Sequence, residues 1–429
     1  MRNRMRWVPI FWLFIISAVA YLDRVNVSIA ISAIQKEFGF TNIQFGWVFS
    51  AFVIGYALFQ APGGRLSDKY GPRKVLTWGV LWWGIFTSVT ALVPSNIAGA
   101  LVVMIAVRFV LGVGEAVVYP GSNRLVANWI PSHERGIANG LIFAGVGFGA
   151  GVTPPIITYV LVNYGWRWSF FICAAIGTLA GIVWWFIARD DPREHPSVSR
   201  EELDYIAKGL PQPADSLKSH KAMPWLTILK NKDVLAIAAS YFTFGYVAYI
   251  FFTWFFKYLN DVRGLDLKSS GLYAMLPFMA MSTCSLLGGW IADRLTKAFG
   301  RRIGRCGIAV FGIGLAGIFI ALATQVESAR LASLVLAGGA GALYLAQSSF
   351  WAVTADIAGP SAGSVSGLMN MGGQIGGAVT ASLTPWIAQE WGWTASFLTA
   401  SALCVFGSLI WLVVNPNSQL VREDTVKVG

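Results

Sequence analysis

The chain has 429 residues, of which 55% are hydrophobic and only 12% are charged, and its mean hydropathy is +0.60. Soluble domains typically carry about 25% charged residues, so this composition excludes a water-soluble protein. The formal net charge of +11 does not indicate a nucleic-acid partner, because the basic residues concentrate in the short polar segments between long apolar runs.

Apolar runs long enough to cross a bilayer predict twelve helical spans. In chain order they are 9–33, 44–64, 75–93, 98–119, 138–160, 168–188, 234–257, 272–291, 306–323, 331–353, 365–388 and 395–414. Arg2, Arg4 and Arg6 before the first run imitate a secretory signal peptide. The helical pattern continues to Ile34, however, and we interpret this segment as an uncleaved first span.

The distribution of Lys and Arg predicts the orientation of the spans. With the N-terminus in the cytoplasm, most basic residues fall on cytoplasmic segments, which is the positive-inside rule. The exceptions in external loops are Lys36, Arg167, Arg263, Lys268 and Arg330. The sequence therefore predicts a multi-pass protein of the cell inner (cytoplasmic) membrane with both termini in the cytoplasm.

Internal repetition divides the chain into two halves. Glycines recur at one constant spacing, with Gly136, Gly140, Gly149 and Gly165 matched by Gly363, Gly367, Gly376 and Gly392. We predict six-helix halves at residues 1–188 and 234–429, joined by a cytoplasmic linker at 189–233. Duplicated halves place a binding site at their interface near the middle of the membrane.

Within the linker, Ser199-x-x-Glu202 has the pattern of a capping box that opens a short amphipathic helix. The pattern extends to about Lys208. We predict that this helix lies on the cytoplasmic membrane surface.

Three segments resemble a known family. Residues 64–74, between the second and third spans, read Gly-Arg-Leu-Ser-Asp-Lys-Tyr-Gly-Pro-Arg-Lys, and residues 108–116 read Arg-Phe-Val-Leu-Gly-Val-Gly-Glu-Ala. Both are similar to signature motifs of the major facilitator superfamily. Residues 21–26, Tyr-Leu-Asp-Arg-Val-Asn, resemble its anion:cation symporter branch, which includes bacterial galactonate, glucarate and hexuronate permeases and sialin-type carriers.

The resemblance implies an all-α fold of twelve transmembrane helices in two six-helix repeats. It also implies a proton-coupled secondary transporter that imports an organic anion by alternating access, with a sugar acid (aldonate, hexuronate or aldarate) as the first expectation. Such a carrier is not an enzyme. Its expected partners are a small organic anion, protons and the lipid bilayer, with no required protein partner.

Four ionisable residues lie inside predicted spans, where a lone charge costs at least a few kcal/mol: Asp23, Arg24, Arg108 and Glu115. At 1.5 Å per residue, Asp23 lies about 21 Å from the cytoplasmic end of its span and Arg108 about 15 Å from the outer end of its own. The two therefore lie at similar depths and can pair. Arg24, about 100° around the helix from Asp23, can then face the central cavity.

The resemblance implies that Asp23 and Glu115 are the protonation sites and that Arg24 binds a substrate carboxylate. We predict that Arg108 switches the charge state of Asp23, since a nearby arginine stabilises a buried carboxylate. An alternative is a charge-balanced network that only holds the helices together. Buried ion pairs stabilise a fold poorly compared with apolar packing, which disfavours that alternative.

Further candidates for substrate binding are polar or aromatic residues of the spans: Tyr21, Tyr56, Asn370, Ser348, Ser349 and Trp351. Their hydroxyl, amide and indole groups suit a polyhydroxylated acid, although each can equally serve interhelical packing. Candidates for an inward gate lie at the cytoplasmic edge: Asp68, Arg73, Glu134 and Arg135. These four could instead be solvated loop residues.

Other functional classes find less support. The chain has no Gly-x-x-x-x-Gly-Lys-Ser/Thr phosphate cradle, which excludes ATP-driven transport, and no Cys/His spacing of a metal site, so we expect no cofactor. A proton-driven drug exporter of the same fold would carry a Gly-Pro pair in the fifth span, whereas here Ala150 follows Gly149. A membrane sensor or scaffold would carry an additional soluble domain, and an importer of a non-sugar carboxylate remains an alternative.

Overall fold

The computed structural model describes residues 4–210, 223–255, 258–265 and 267–420. The predicted outer end of the seventh span, at Phe256 and Lys257, lies outside the described residues. Within the described residues, the regular structure is helical and contains no strand. Lipid offers no hydrogen-bond partner to a peptide group, so a chain of this composition must satisfy its backbone inside helices.

The first six spans follow one another with short connections. Their bounds are Trp7–Phe38, Asn42–Tyr70, Pro72–Leu92, Ala100–Glu115 continued by Val118–Trp129, Arg135–Tyr164, and Trp166–Ile187. Two short helices, Arg200–Gly209 and Trp225–Lys230, separate them from the second set.

The second set repeats this arrangement. Its helices are Lys232–Thr253, Leu267–Phe299, Ile308–Ala323 preceded by the π-turn Arg302–Gly307, Ala329–Leu345 continued by Gln347–Ala358, and Ala362–Ile410. The described residues contain 10 stretches long and apolar enough to cross a membrane, and the last, Ala329–Ile410, reverses direction at Gly359 and Gly392. That stretch accounts for three crossings, so the twelve predicted spans are confirmed.

The two sets are related by sequence and by backbone geometry. Gly165, between the fifth and sixth spans, has φ 86° and ψ 165°, and Gly392, between the eleventh and twelfth, has φ 85° and ψ 163°. Only glycine adopts this conformation readily, because a Cβ would clash with the backbone. The repeated glycine therefore makes the same sharp turn in each half.

Both described ends of the chain lie on one face of the molecule, which we call the terminal face, opposite the distal face. The Glu202 carboxylate accepts hydrogen bonds from the backbone N–H groups of Met5 and Arg6. Asp233, at the start of the seventh span, accepts bonds from Asn415 N–H and the Ser418 hydroxyl.

The signature segment at residues 64–74 is helix where the sequence predicted a loop. The second span continues to Tyr70 and the third begins at Pro72, so only Gly71, with φ 87°, connects them. Gly64 lies inside the helix, where a Cβ would come within 1.9 Å of the Gly363 carbonyl oxygen. The glycine thus permits contact between helix backbones across the two halves.

The linker helix forms as predicted, but it packs against protein. The Ser199 hydroxyl accepts the Glu202 N–H at 3.2 Å, so the N-cap is present. The Glu202 side chain does not complete a capping box in this structure. It is fully buried and binds the start of the first span, including the Arg6 guanidinium at 2.9 Å. One face of the helix therefore contacts the first span, and its position at the membrane surface stays a prediction.

Candidate functional site

The first and fourth spans are joined by a buried ion pair. Arg24 Nε donates a hydrogen bond to one carboxylate oxygen of Glu115 at 2.7 Å, and Nη2 of the same guanidinium lies 2.6 Å from that oxygen. Glu115 is only 1% exposed, and its second oxygen has no hydrogen-bond partner among the described residues. The pair is thus a charge-assisted contact in a water-poor environment, where it is stronger than at a surface.

Aromatic rings surround the Arg24 guanidinium. Its Cζ lies 4.3 Å from the ring centroid of Tyr56, 4.9 Å from that of Tyr21 and 5.3 Å from that of Phe52. Ring faces attract a cation without neutralising it. Arg24 therefore remains able to bind an anion other than Glu115.

Asp23 points away from Arg24, toward the third span. One of its oxygens accepts hydrogen bonds from Trp83 Nε1 at 2.9 Å and the Thr87 hydroxyl at 3.0 Å. The other oxygen is buried without a partner in the described part of the chain. The sequence suggested the fourth span as the neighbour of Asp23 and did not predict either partner. The only sequence feature that indicated them was a polar atom on each side chain within an apolar span.

Arg108 lies in the same buried region but makes no ion pair with Asp23 within 4.0 Å in the chain as described. Its Cζ lies 5.0 Å from the ring centroid of Phe52, the ring that Arg24 also contacts. Its Nε and Nη1 are buried without partners among the described residues. A guanidinium with unused donors in an apolar setting is costly, and the nearby carboxyl groups reduce that cost.

A cavity of about 40 Å³ lies between the two halves. Three predicted residues, Tyr21, Tyr56 and Asn370, line it, and Asn370 donates to the Gln60 side chain across the interface at 2.8 Å. The sequence analysis missed several other lining residues, among them Tyr119, Tyr241, Tyr249, Gln347 and Gln374. A signal existed for two of them, because Tyr241 and Tyr249 lie two helical turns apart with Gly245 between them.

The other three predicted binding residues lie behind the cavity wall. Ser348, Ser349 and Trp351 are fully or almost fully buried, and the two serine hydroxyls have no partner among the described residues. Trp351 Nε1 donates to the Tyr241 hydroxyl at 3.3 Å.

At the terminal face, two carboxylates cap helices of the opposite half. Asp68 accepts the N–H groups of Gly363 and Ser364 at 2.9 Å and 2.7 Å. Asp293 accepts those of Gly136 and Ile137 at 2.9 Å and 2.6 Å. A carboxylate at a helix N-terminus satisfies free donors and interacts favourably with the helix dipole. We call these two contacts the carboxylate caps.

Buried ion pairs support the carboxylate caps. Arg135 binds Asp356 at 2.7 Å and Arg305 binds Asp293 at 2.7 Å, while Arg124 donates to the Gly359 carbonyl at 2.8 Å. The sequence analysis did not single out Asp293 for this contact, although Gly289-x-x-x-Asp293 repeats Gly64-x-x-x-Asp68.

Of the four predicted gate residues, Asp68 and Arg135 link the halves and the other two do not. Arg73 donates to the Trp185 carbonyl at 3.0 Å and 2.9 Å, within the first half. Glu134 accepts from Arg6 and from the Tyr205 hydroxyl of the linker helix.

Comparison with known proteins gives a consistent assignment. A family model described as Major Facilitator Superfamily matches residues 13–381 and 298–427. The chain is 34% identical over 403 residues to the probable sulfoacetate transporter SauU of Cupriavidus necator, covering 93% of this chain and 91% of that protein. It is 29% identical over 405 residues to the hexuronate transporter of Bacillus subtilis, with 93% and 92% covered.

Among solved structures, the fold is similar to that of the proton:xylose symporter XylE bound to 6-bromo-6-deoxy-D-glucose. The TM-score is 0.76 at 16% identity, and the match covers 96% of this chain and 97% of that one. At this identity the likeness concerns the fold alone.

Proposed function

Since this chain belongs to the Major Facilitator Superfamily and is a multi-pass membrane transporter rather than an enzyme, we propose that it imports an organic anion together with protons. The buried pair between Arg24 and Glu115 carries the proposal. It combines an anion-binding group with a protonatable group, which is the minimum that coupling requires. We assign residues 1–188 and 234–429 to the two moving halves and residues 189–233 to the linker.

The orientation in the proposal follows the positive-inside rule. The terminal face is then cytoplasmic, and the membrane is the cell inner membrane. The carboxylate caps close the cytoplasmic side, so the described conformation is the one from which the distal side opens.

Competition for Arg24 supplies the coupling. While Glu115 is ionised it occupies the guanidinium at 2.6 Å, so an incoming substrate carboxylate must displace it. A proton on Glu115 removes its charge and leaves the planar donor fork of Arg24 free for the substrate. Proton binding and anion binding therefore favour each other, and binding of the anion strengthens as the pH falls.

Asp23 and Arg108 form the second part of the coupling machinery. Within the described residues, Asp23 has a buried oxygen without a partner, and Arg108 has buried nitrogens without partners in the same region. When Arg108 moves toward Asp23 it stabilises the carboxylate, and when it moves away the protonated acid is favoured. Arg108 is thus assigned as a switch that does not touch the substrate.

The substrate assignment rests on the polar groups of the cavity wall. A volume of 40 Å³ is small beside the roughly 300–1,000 Å³ of typical ligand sites, so the halves must separate before an acid can enter. Tyr21, Tyr56 and Asn370 then contact its hydroxyl groups, with Ser348, Ser349 and Trp351 behind them. We propose a sugar acid, and a smaller carboxylate is the second candidate because one relative is named a sulfoacetate transporter.

Uptake into proteoliposomes tests this function. The purified carrier is given hexuronates, aldonates, aldarates and sulfoacetate, each with and without an inward proton gradient. We expect at least one acid to accumulate only with the gradient. Proton-coupled import would be contradicted if the acid accumulated equally with and without the gradient, or if the gradient drove the acid out of the vesicles.

Two variants then test the proton sites. Asp23→Asn and Glu115→Gln should each abolish gradient-driven accumulation, because the amide side chain cannot bind and release a proton during the transport cycle. Exchange of internal for external substrate should continue. Glu37→Gln is a matched control, since Glu37 also pairs with an arginine, Arg167, but at the distal surface. If both variants still accumulate the acid, the proton sites lie elsewhere.

A further inference from the structure

The second and eleventh spans form a seam between the halves that is tight near the terminal face. Gly64 lies against the backbone of Gly363, and a Cβ on Gly367 would come within 2.4 Å of the Gln60 carbonyl oxygen. The Asn370 side chain donates to that of Gln60 at 2.8 Å. These contacts leave no space for a third molecule along this part of the seam.

Toward the distal face the same two helices diverge and leave a lateral groove of about 680 Å³. It is lined by Val53, Ile54, Ala57, Leu58, Gln374, Ile375, Ala378, Val379, Ser382, Leu383 and Trp386. Large apolar side chains here are open to the surroundings, with Ile54 and Trp386 each 51% exposed. The groove is therefore continuous with the apolar surface that the spans present to the bilayer.

We propose that an acyl chain of a phospholipid from the distal leaflet occupies this groove. From Gln374 to Trp386 the helix rises about 18 Å at 1.5 Å per residue. One leaflet contributes about half of a 30 Å hydrocarbon core, so the groove is about as long as one leaflet is thick. A single chain entering from the bilayer fits that length.

The chemistry of the wall favours an acyl chain over a polar ligand. Gln374 and Ser382 are the polar residues of the lining, and the Gln374 side-chain oxygen already accepts the Tyr249 hydroxyl at 2.6 Å. Few hydrogen-bonding groups remain for a sugar acid or another charged molecule. An acyl chain needs none, and it fills the groove by van der Waals packing against the apolar wall.

The position of the groove means that a bound acyl chain affects which conformation the transporter adopts. Gln374 lines both the groove and the central cavity, so the chain closes the cavity from its lipid side. Rocking that opens the terminal face must bring the distal ends of the two spans together and expel the chain. The lipid thus stabilises the conformation with a closed terminal face. This inference goes beyond the proposed transport function and does not depend on the substrate.

The test uses electron paramagnetic resonance of spin-labelled phospholipid. The full-length transporter is reconstituted in phosphatidylethanolamine–phosphatidylglycerol vesicles with a trace of phospholipid labelled near mid-chain, and the motionally restricted fraction is measured. Ala378→Trp fills the groove and should release one restricted chain per transporter. Leu179→Trp, on an exposed face of the sixth span and 61% exposed, is the matched control and should release none.

A second variant, Ala57→Trp, fills the groove from the opposite wall and should reproduce the loss. Equal restricted fractions in the wild type and both groove variants would overturn the proposal. Stoichiometric displacement of the labelled chain by a transported anion would also overturn it, since the groove would then be a ligand route. Neither readout measures transport, so failure here leaves the proposed function untouched.

Discussion

The Arg24 guanidinium lies against the rings of Tyr21 and Tyr56, and its Nε–H donates to Glu115, whose oxygen also lies 2.6 Å from Nη2. The rings restrict the guanidinium without using its donors, so its orientation is set before an anion arrives. Preorganisation of this kind reduces the entropy lost on binding. A planar fork with a fixed direction also matches the two oxygens of a carboxylate.

Replacing Arg24 by lysine tests that geometry at constant charge. Arg24→Lys loses the fork and the stacking on the rings, so we expect affinity for the transported acid to fall by about 1.5–3 kcal/mol, the range for a charged hydrogen bond. Isothermal titration of the purified carrier measures it. Arg167→Lys, in the exposed pair with Glu37, is the control and should bind as the wild type does. An unchanged affinity in Arg24→Lys would remove this residue from the site.

At the scale of elements, the carboxylate caps join helices of different halves at the terminal face. Asp68 satisfies the first N–H groups of the eleventh span, and Asp293 does the same for the fifth. Each cap is broken when its helix moves away. The caps are therefore suited to stabilising one conformation if the halves rock as proposed.

Neutralising a cap should open the terminal face. Asp68→Asn removes the charge that interacts with the start of the eleventh span, and we expect the closed state to lose about 1.5–3 kcal/mol, the value of hydrogen bonds to a charged group. Spin-label distances between the halves at the terminal face should lengthen. Asp191→Asn is the control, because Asp191 pairs with Arg193 in the segment beyond the sixth span. A distance distribution identical to the wild type would show that the cap does not hold the face closed.

At the scale of the whole molecule, closure depends on backbones meeting at the seam. The Gly64 and Gly363 contact leaves no volume for a methyl group, whereas a Cβ on Gly46, in the same span, would meet nothing within 4 Å. Gly64→Ala should therefore disfavour the closed terminal face by about 1–3 kcal/mol, the cost of overpacking, and Gly46→Ala should not.

Labelling of a cysteine introduced at the terminal face measures this effect. We expect faster labelling in Gly64→Ala than in the wild type, with Gly46→Ala indistinguishable from it. Labelling at wild-type rates in Gly64→Ala would mean that the seam tolerates the methyl group by shifting.

The sequence by itself determined the membrane class, the number of spans, the repeat and the four buried charges. These follow from composition, from the length of apolar runs and from the cost of a charge in lipid, all of which are local properties of the chain. It also identified Tyr21, Tyr56 and Asn370, which line the cavity, and Asp68, which bonds to the opposite half.

Only the tertiary structure decided which groups meet. Asp23 turns to Trp83 and Thr87, and Glu115 takes Arg24, because the rotation of each helix about its axis is set by packing against several neighbours. The approach of Gly64 to the Gly363 backbone was likewise not readable from residues 64–74, because the partner lies in the other half of the chain. The Glu202 carboxylate binds the start of the first span and does not complete the capping box. Its partners are distant in sequence, so no local pattern predicts them.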